Sequence, residues 1–142
     1  MSLRMIILLI AISFPAFASI ATADDLRIAN GRISMPIGGE DPTVFFVIQS
    51  KSKETRTIVG ASSPRSESVA IRRTAIVEGQ WGSEAMPDGM AIPPGGAVAF
   101  APRGLFLRMM SAEKLAAGDV VPITLQFANG ESVSFDAVAT DE

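Results

Sequence analysis

The residues best able to do chemistry in this chain are its thioethers and guanidiniums, because the usual catalytic side chains are missing. The sequence contains no His, no Cys and no Tyr. Without an imidazole there is no ordinary general base at neutral pH and none of the commonest metal ligand. Ser-His-Asp and Cys-His arrangements are excluded, as are ordinary zinc sites. Five methionines outside the first segment, Met35, Met86, Met90, Met109 and Met110, supply soft sulfur donors. Thioethers suit Cu(I) when about three converge. Met109 and Met110 are neighbours on an extended segment and point to opposite faces, so only one of them can join such a trio. The competing reading is that the methionines fill gaps in the core or lie at the surface. Asp41, Asp88, Asp119 and Asp136 lack calcium-loop spacing. Gly38-Gly39 has no following Lys and helix, so it is not a phosphate loop. Trp81, the sole Trp, lies between Gly79 and Gly82 and is expected in the core; exposed, it would mark a contact surface. No activated nucleophile and no carboxylate pair stands out, and the chain is read as not an enzyme.

The elements that must position these residues are strands. Val121, Ile123, Leu125 and Phe127 alternate with polar or turn-forming neighbours. Asn129-Gly130 follows, and then Val133, Phe135 and Ala137 alternate with Ser132, Ser134 and Asp136. Period two buries one face of each strand, and Asn-Gly predicts a hairpin with a type I′ turn. Further strands are expected over 26–34, 43–49, 56–61, 68–77, 97–101 and 105–110, separated by Gly, Pro, Ser and Lys clusters. Phe45-Phe46-Val47-Ile48 does not alternate and predicts a central strand buried on both faces. A single helical turn is expected over 112–117, closed by Gly118.

The first 23 residues read as a secretory signal rather than as fold. Arg4 precedes an apolar run from Met5 to Phe14, too short to span a bilayer, and small-x-small sites follow at Ala16-Phe17-Ala18 and Ala21-Thr22-Ala23. Cleavage is expected after Ala23, with a buried N-terminal strand or an uncleaved anchor as the alternatives. Residues 24–142 then form one domain, bound for the periplasm or secreted, that needs no disulfides at this size. Without Arg4 the domain keeps 11 basic against 15 acidic residues, which offers no general attraction for nucleic acid or anionic membranes.

Several segments occur in a telling order. Val59-Gly60-Ala61-Ser62-Ser63-Pro64 leads into a strand around Val69 to Thr74; Ile92-Pro93-Pro94-Gly95-Gly96 and a further strand follow. Pro102-Arg103-Gly104-Leu105-Phe106-Leu107 comes next, and the run from Gly118 to Phe127 closes the series. This order resembles the periplasmic copper chaperones of the PCuAC type over nearly all of residues 24–142, with Arg32 at an early Trp-x-Arg-like position. The resemblance implies an all-β, cupredoxin-like Greek-key β-sandwich and a role in carrying Cu(I) toward cytochrome oxidase assembly. It also implies a ligand pattern: a His after the Ser-Ser-Pro strand, a Met beyond it, and a later His-x-Met. The positions that match are Arg72, Ser83, Phe106 and Arg108, with one extra residue between the two halves. None is a soft donor, and a guanidinium has no lone pair to give. The copper site is therefore expected to be degenerate, with no cofactor required and Cu(I) implied by resemblance alone; Met86, Met90, Met109 and Met110 are the weak substitutes. The family fold would also bring Arg72 and Arg108 together, with Arg73 and Arg103 nearby, as a surface for a periplasmic protein partner or an acidic or anionic ligand. Ordinary ion pairs of these arginines with Glu67, Glu78 or Glu84 are the competing reading.

Overall fold

The computed structural model describes residues 21–23, 25–36 and 38–141. The apolar run of the expected signal and the first small-x-small site lie outside the described residues, so cleavage after Ala23 stays an expectation. Within the described residues the chain is built of strands: β1 (Ala21–Ala23), β2 (Leu26–Ser34), β3 (Thr43–Ser50), β4 (Arg56–Ser62), β5 (Ser66–Val77), β6 (Gln80–Ala85), β7 (Met90–Ile92), β8 (Ala97–Phe100), β9 (Leu105–Ala112), β10 (Val120–Phe127) and β11 (Ser132–Thr140). Hydrogen bonds run from β5 through β9, β3, β2, β11, β10 and β4, and a single pairing, Ala61 with Val69, returns from β4 to β5. The sheet thus wraps on itself as a cupredoxin-like β-sandwich. Its pairings are antiparallel except β2 with β11 and a one-residue contact of β8 with β9.

Alternation along each strand builds the core. Inward-facing Val121, Ile123, Leu125 and Phe127 of β10 meet Val133, Phe135, Ala137 and Ala139 of β11. Phe46 stacks on Phe100, with ring centroids 4.3 Å apart, and tilts against Phe135 at 4.8 Å. Of the run Phe45-Phe46-Val47-Ile48 on β3, Phe45, Phe46 and Ile48 are buried and Val47 is half-buried, so the expected burial on both faces holds at Phe45 and is only partial at Val47. Phe45 is covered on the outer face by Arg32, whose guanidinium carbon lies 5.3 Å from the ring centroid.

Three local expectations are corrected. No helix forms over 112–117: Ala112 ends β9, and a turn follows in which Asp119 Oδ2 accepts from Ala116 N at 2.9 Å. So short a segment cannot offset helix nucleation, and the Asp side chain offers the backbone a better partner. The β10–β11 hairpin forms, but its loop is Ala128-Asn129-Gly130 and only Gly130 has positive φ, at 87°. Asn129 Oδ1 instead accepts from Glu131 N at 3.0 Å, which suits a type I turn followed by a left-handed glycine. Positive φ at two successive central residues occurs at Glu78 (53°) and Gly79 (79°), joining β5 to β6. Third, Trp81 is not core: it is 77% exposed at the end of that hairpin.

β6 and β7 were not legible. Gln80-Trp81-Gly82-Ser83-Glu84-Ala85 has no apolar alternation because neither of its faces is deeply buried. It is held by the outer half of β5, which runs past the seam with β4 and pairs with β6 from Arg72 to Val77.

Candidate functional site

The four positions that match the family ligands lie on one face of the β6–β5–β9 sheet. Ile71, Leu107 and Met109 turn inward and are buried. Arg72, Phe106 and Arg108 alternate with them and turn outward. Register fixes their relations: Arg72 pairs across with Phe106 on β9 and with Ala85 on β6, Arg108 with Ala70, and Ser83 with Thr74. Arg72 and Arg108 are therefore diagonal neighbours, a relation that places Cβ atoms about 7–8 Å apart or slightly less.

Two polar members of the set are hydrogen-bonded to one another, and the third lies near a carboxylate. Arg72 Nε donates to Ser83 Oγ at 2.8 Å, and Arg72 Nη2 donates to the Ser83 carbonyl at 3.0 Å. Two of the four positions thus satisfy one another, and the bond occupies the serine oxygen that might have faced an ion. Arg108 Nε lies 3.8 Å from Asp41 Oδ2, within ion-pair range but too far for a hydrogen bond. That Nε is buried without an acceptor, although the side chain as a whole is 40% exposed.

The other arginines separate. Arg73 falls on the opposite face of β5 and pairs with Glu84, its Nε donating to Oε1 at 3.0 Å. This is one of the ion pairs anticipated as the competing reading. Arg103 sits in the turn before β9 with a positive φ of 65° and is exposed. The turn itself is tied to β5 by Thr74 N donating to Gly104 O at 2.9 Å.

The methionines also divide. Met109 is fully buried in the core, Met86 and Met90 pack against that core, and Met110 is 37% exposed on the outer face beside Arg108. Strand alternation thus parts Met109 from Met110. Among the described residues no group of three or more His, Cys, Asp or Glu side chains is placed to hold a metal ion.

Sequence reasoning missed two features. Ile76 pairs across with Trp81 on the same outer face as Arg72, and Ile76 is 66% exposed. Their signal was present as an unburied Trp beside a two-residue turn, but it shows only once the register is known. Arg56 is a structural clamp: Nη1 reaches both carboxylate oxygens of Asp25 at 3.1 Å, Nη2 contacts Glu131, and the guanidinium lies over Phe127. It ties the start of β2 and the β10–β11 loop to β4.

An open groove of about 450 Å³ lies elsewhere, beside Asn30, Arg32, Phe45 and Ala99 on β2, β3 and β8. No carboxylate lines it.

Comparison with known proteins places this geometry. No curated protein sequence matches the chain. Among solved structures, a copper-bound PCuAC domain from PmoF2 is similar at 19% identity and a TM-score of 0.67, over 86% of this chain and 98% of that one. An apo PCuAC domain from PmoF1 is similar at 18% identity and 0.69, over 86% and 99%. The Cu(I) form of DR1885 from Deinococcus radiodurans is similar at 23% identity and 0.65, over 80% and 76%. The fold expected from the ordered segments is thus the fold of PCuAC domains. The family model described as "Putative lipoprotein LpqE-like" matches residues 26–139, nearly every strand described above, and the chain belongs to the LpqE-like family.

Proposed function

We propose that this chain is an exported, non-enzymatic protein on the PCuAC fold, an accessory in periplasmic copper handling or cytochrome oxidase assembly, whose metal position no longer holds copper. The observation that carries the reading is the contact of Arg72 with Ser83. It fills two of the four matching positions with a cation and its own hydrogen-bond acceptor. Phe106 across the strand adds no donor, and Arg108 beside it adds a second positive charge. A soft monovalent cation would meet repulsion and no sulfur or imidazole there. The reading of residues 1–23 as a cleaved leader supports export. Its 142 residues contain no Cys, so they offer no thiol for lipid attachment despite the lipoprotein in the family's description.

The test is a titration of Cu(I) into the protein comprising residues 24–142, against a calibrated chelator. No competition in the submicromolar range is expected. Tight competition would overturn the reading, and single substitutions of Met86, Met90, Met109 and Met110 would then locate the sulfur donors.

A second reading, a metal-free interaction module acting through the arginine-bearing face, is favoured by one specific observation. Among the described residues Arg72 has only neutral partners and Arg108 Nε has no acceptor, while the Arg108 side chain stays 40% exposed. Both guanidiniums keep capacity for a carboxylate supplied from outside.

A further inference from the structure

The outer face of β6, β5 and β9 has an unusual composition once register is applied. Its exposed or half-exposed apolar members are Trp81, Ile76, Phe106 and Met110, and its only charged members are Arg72 and Arg108. The remaining strand positions on this face are Ser, Thr and Ala, and no Lys, Asp or Glu of the three strands points the same way. Glu84 and Arg73 neutralise one another on the other side. Trp, Met, Phe and Arg enriched together, with no Lys or Glu on these strand faces and Asp41 at their edge beside Arg108, is the composition of a protein contact rather than of a solvated surface. Trp81 is held at the end of a hydrogen-bonded hairpin, so little conformational freedom is lost when it is buried.

We infer that this face docks a different protein, one that offers an apolar pocket for Trp81 and Ile76 bordered by carboxylates that reach Arg72 and Arg108. The inference rests on reading the site as a metal-free interaction module and names the partner's chemistry. Charge decides the occupant. Among the described residues Arg72 meets no carboxylate, and Arg108 reaches only Asp41, at 3.8 Å. A second copy would set arginine against arginine in a symmetric pairing. In a head-to-tail pairing the open groove beside Phe45, lined by Arg32 and no carboxylate, would give the two arginines nothing to pair with. An acidic, apolar surface on another protein suits both the exposed part of the Arg108 guanidinium and the exposed apolar side chains.

The experiment places a photoreactive benzophenone side chain at Ala85, cross-strand from Arg72 on the same face, in the full chain produced in its exporting cell. Cross-linked peptides are then identified by mass spectrometry. The expected product is a different protein whose linked peptide carries Asp or Glu beside apolar residues. Its yield should fall at least tenfold in Trp81→Ala and in the Arg72→Ala, Arg108→Ala double variant. With that partner purified, Trp81→Ala should weaken affinity about 30-fold, the scale of an interface anchor. Linkage to a second copy, linkage to lipid alone, a yield unchanged by these substitutions, or no linkage at all would each overturn the inference. An unchanged melting temperature for Trp81→Ala shows that a lost cross-link reflects lost contact and not lost fold. Chelator competition on the same preparations separates the two ideas. A failed cross-link leaves the copper-free reading standing, and tight Cu(I) binding removes that reading whatever the cross-link shows.

Discussion

A guanidinium bonded to a serine hydroxyl takes up a lone pair that a metal ion would need, and the proposed loss of the copper site is specific enough to reverse. Arg72, Ser83, Phe106 and Arg108 share one sheet face, in the register that links β6, β5 and β9. The quadruple variant Arg72→His, Ser83→Met, Phe106→His, Arg108→Met should therefore gain measurable competition for Cu(I), where none is expected of the native chain. Chelator titration of both proteins checks this. Failure of the variant, provided it is folded, would mean that the backbone has moved as well as the side chains. At this scale much was readable beforehand. That an Arg cannot ligate copper follows from its residue type alone. The Ser83 acceptor and the orphaned Arg108 Nε were not readable, because hydrogen bonding between residues eleven apart depends on how two strands align. The opposite orientation of Arg73 follows from strand period, but its pairing with Glu84 needed the β5–β6 register.

Among the elements, strands with one buried face announced themselves and those without did not. β2 spans 26–34 and β3 begins at 43, as alternation and the apolar run around Phe45 imply. β6, exposed on both sides, carries no periodic signal. β7 is three residues long and is fixed by β4, which it pairs with from Met90 to Ile92. The approach to β7 is tight. Gly89 has φ +77°, and a Cβ there would come within 2.0 Å of the Ile58 carbonyl oxygen. Gly89→Ala should cost about 1–3 kcal/mol for the left-handed conformation alone, and more for the collision, visible as an earlier midpoint in urea. If its stability matched the native chain, β7 would not be held as described. A contrasting substitution, Trp81→Ala, should change stability by no more than about 0.5 kcal/mol, because the side chain touches little of its own protein.

Taken whole, the molecule's stability is set where the two layers meet. Phe46 from β3 stacks on Phe100 of β8 and leans on Phe135 of β11, so it joins both sides of the sandwich. Phe46→Ala should destabilise the domain by about 3–5 kcal/mol, read from equilibrium unfolding; a loss under about 1 kcal/mol would mean that the core is looser than the buried rings imply. The fold class was legible because inward alternation recurs along most of the chain. Ring closure was not, since it depends on a single pairing between Ala61 and Val69 that no local pattern encodes.

The parallel seam between β2 and β11 has a further consequence, for timing. Thr140 Oγ1 donates to the Ile33 carbonyl across 107 residues of chain, so a strand near the beginning waits for the last one to be delivered. A polypeptide synthesised in order cannot complete this sandwich until β11 is present. Late closure of this kind sets assembly on the slow side for the chain's size, as distant contacts do.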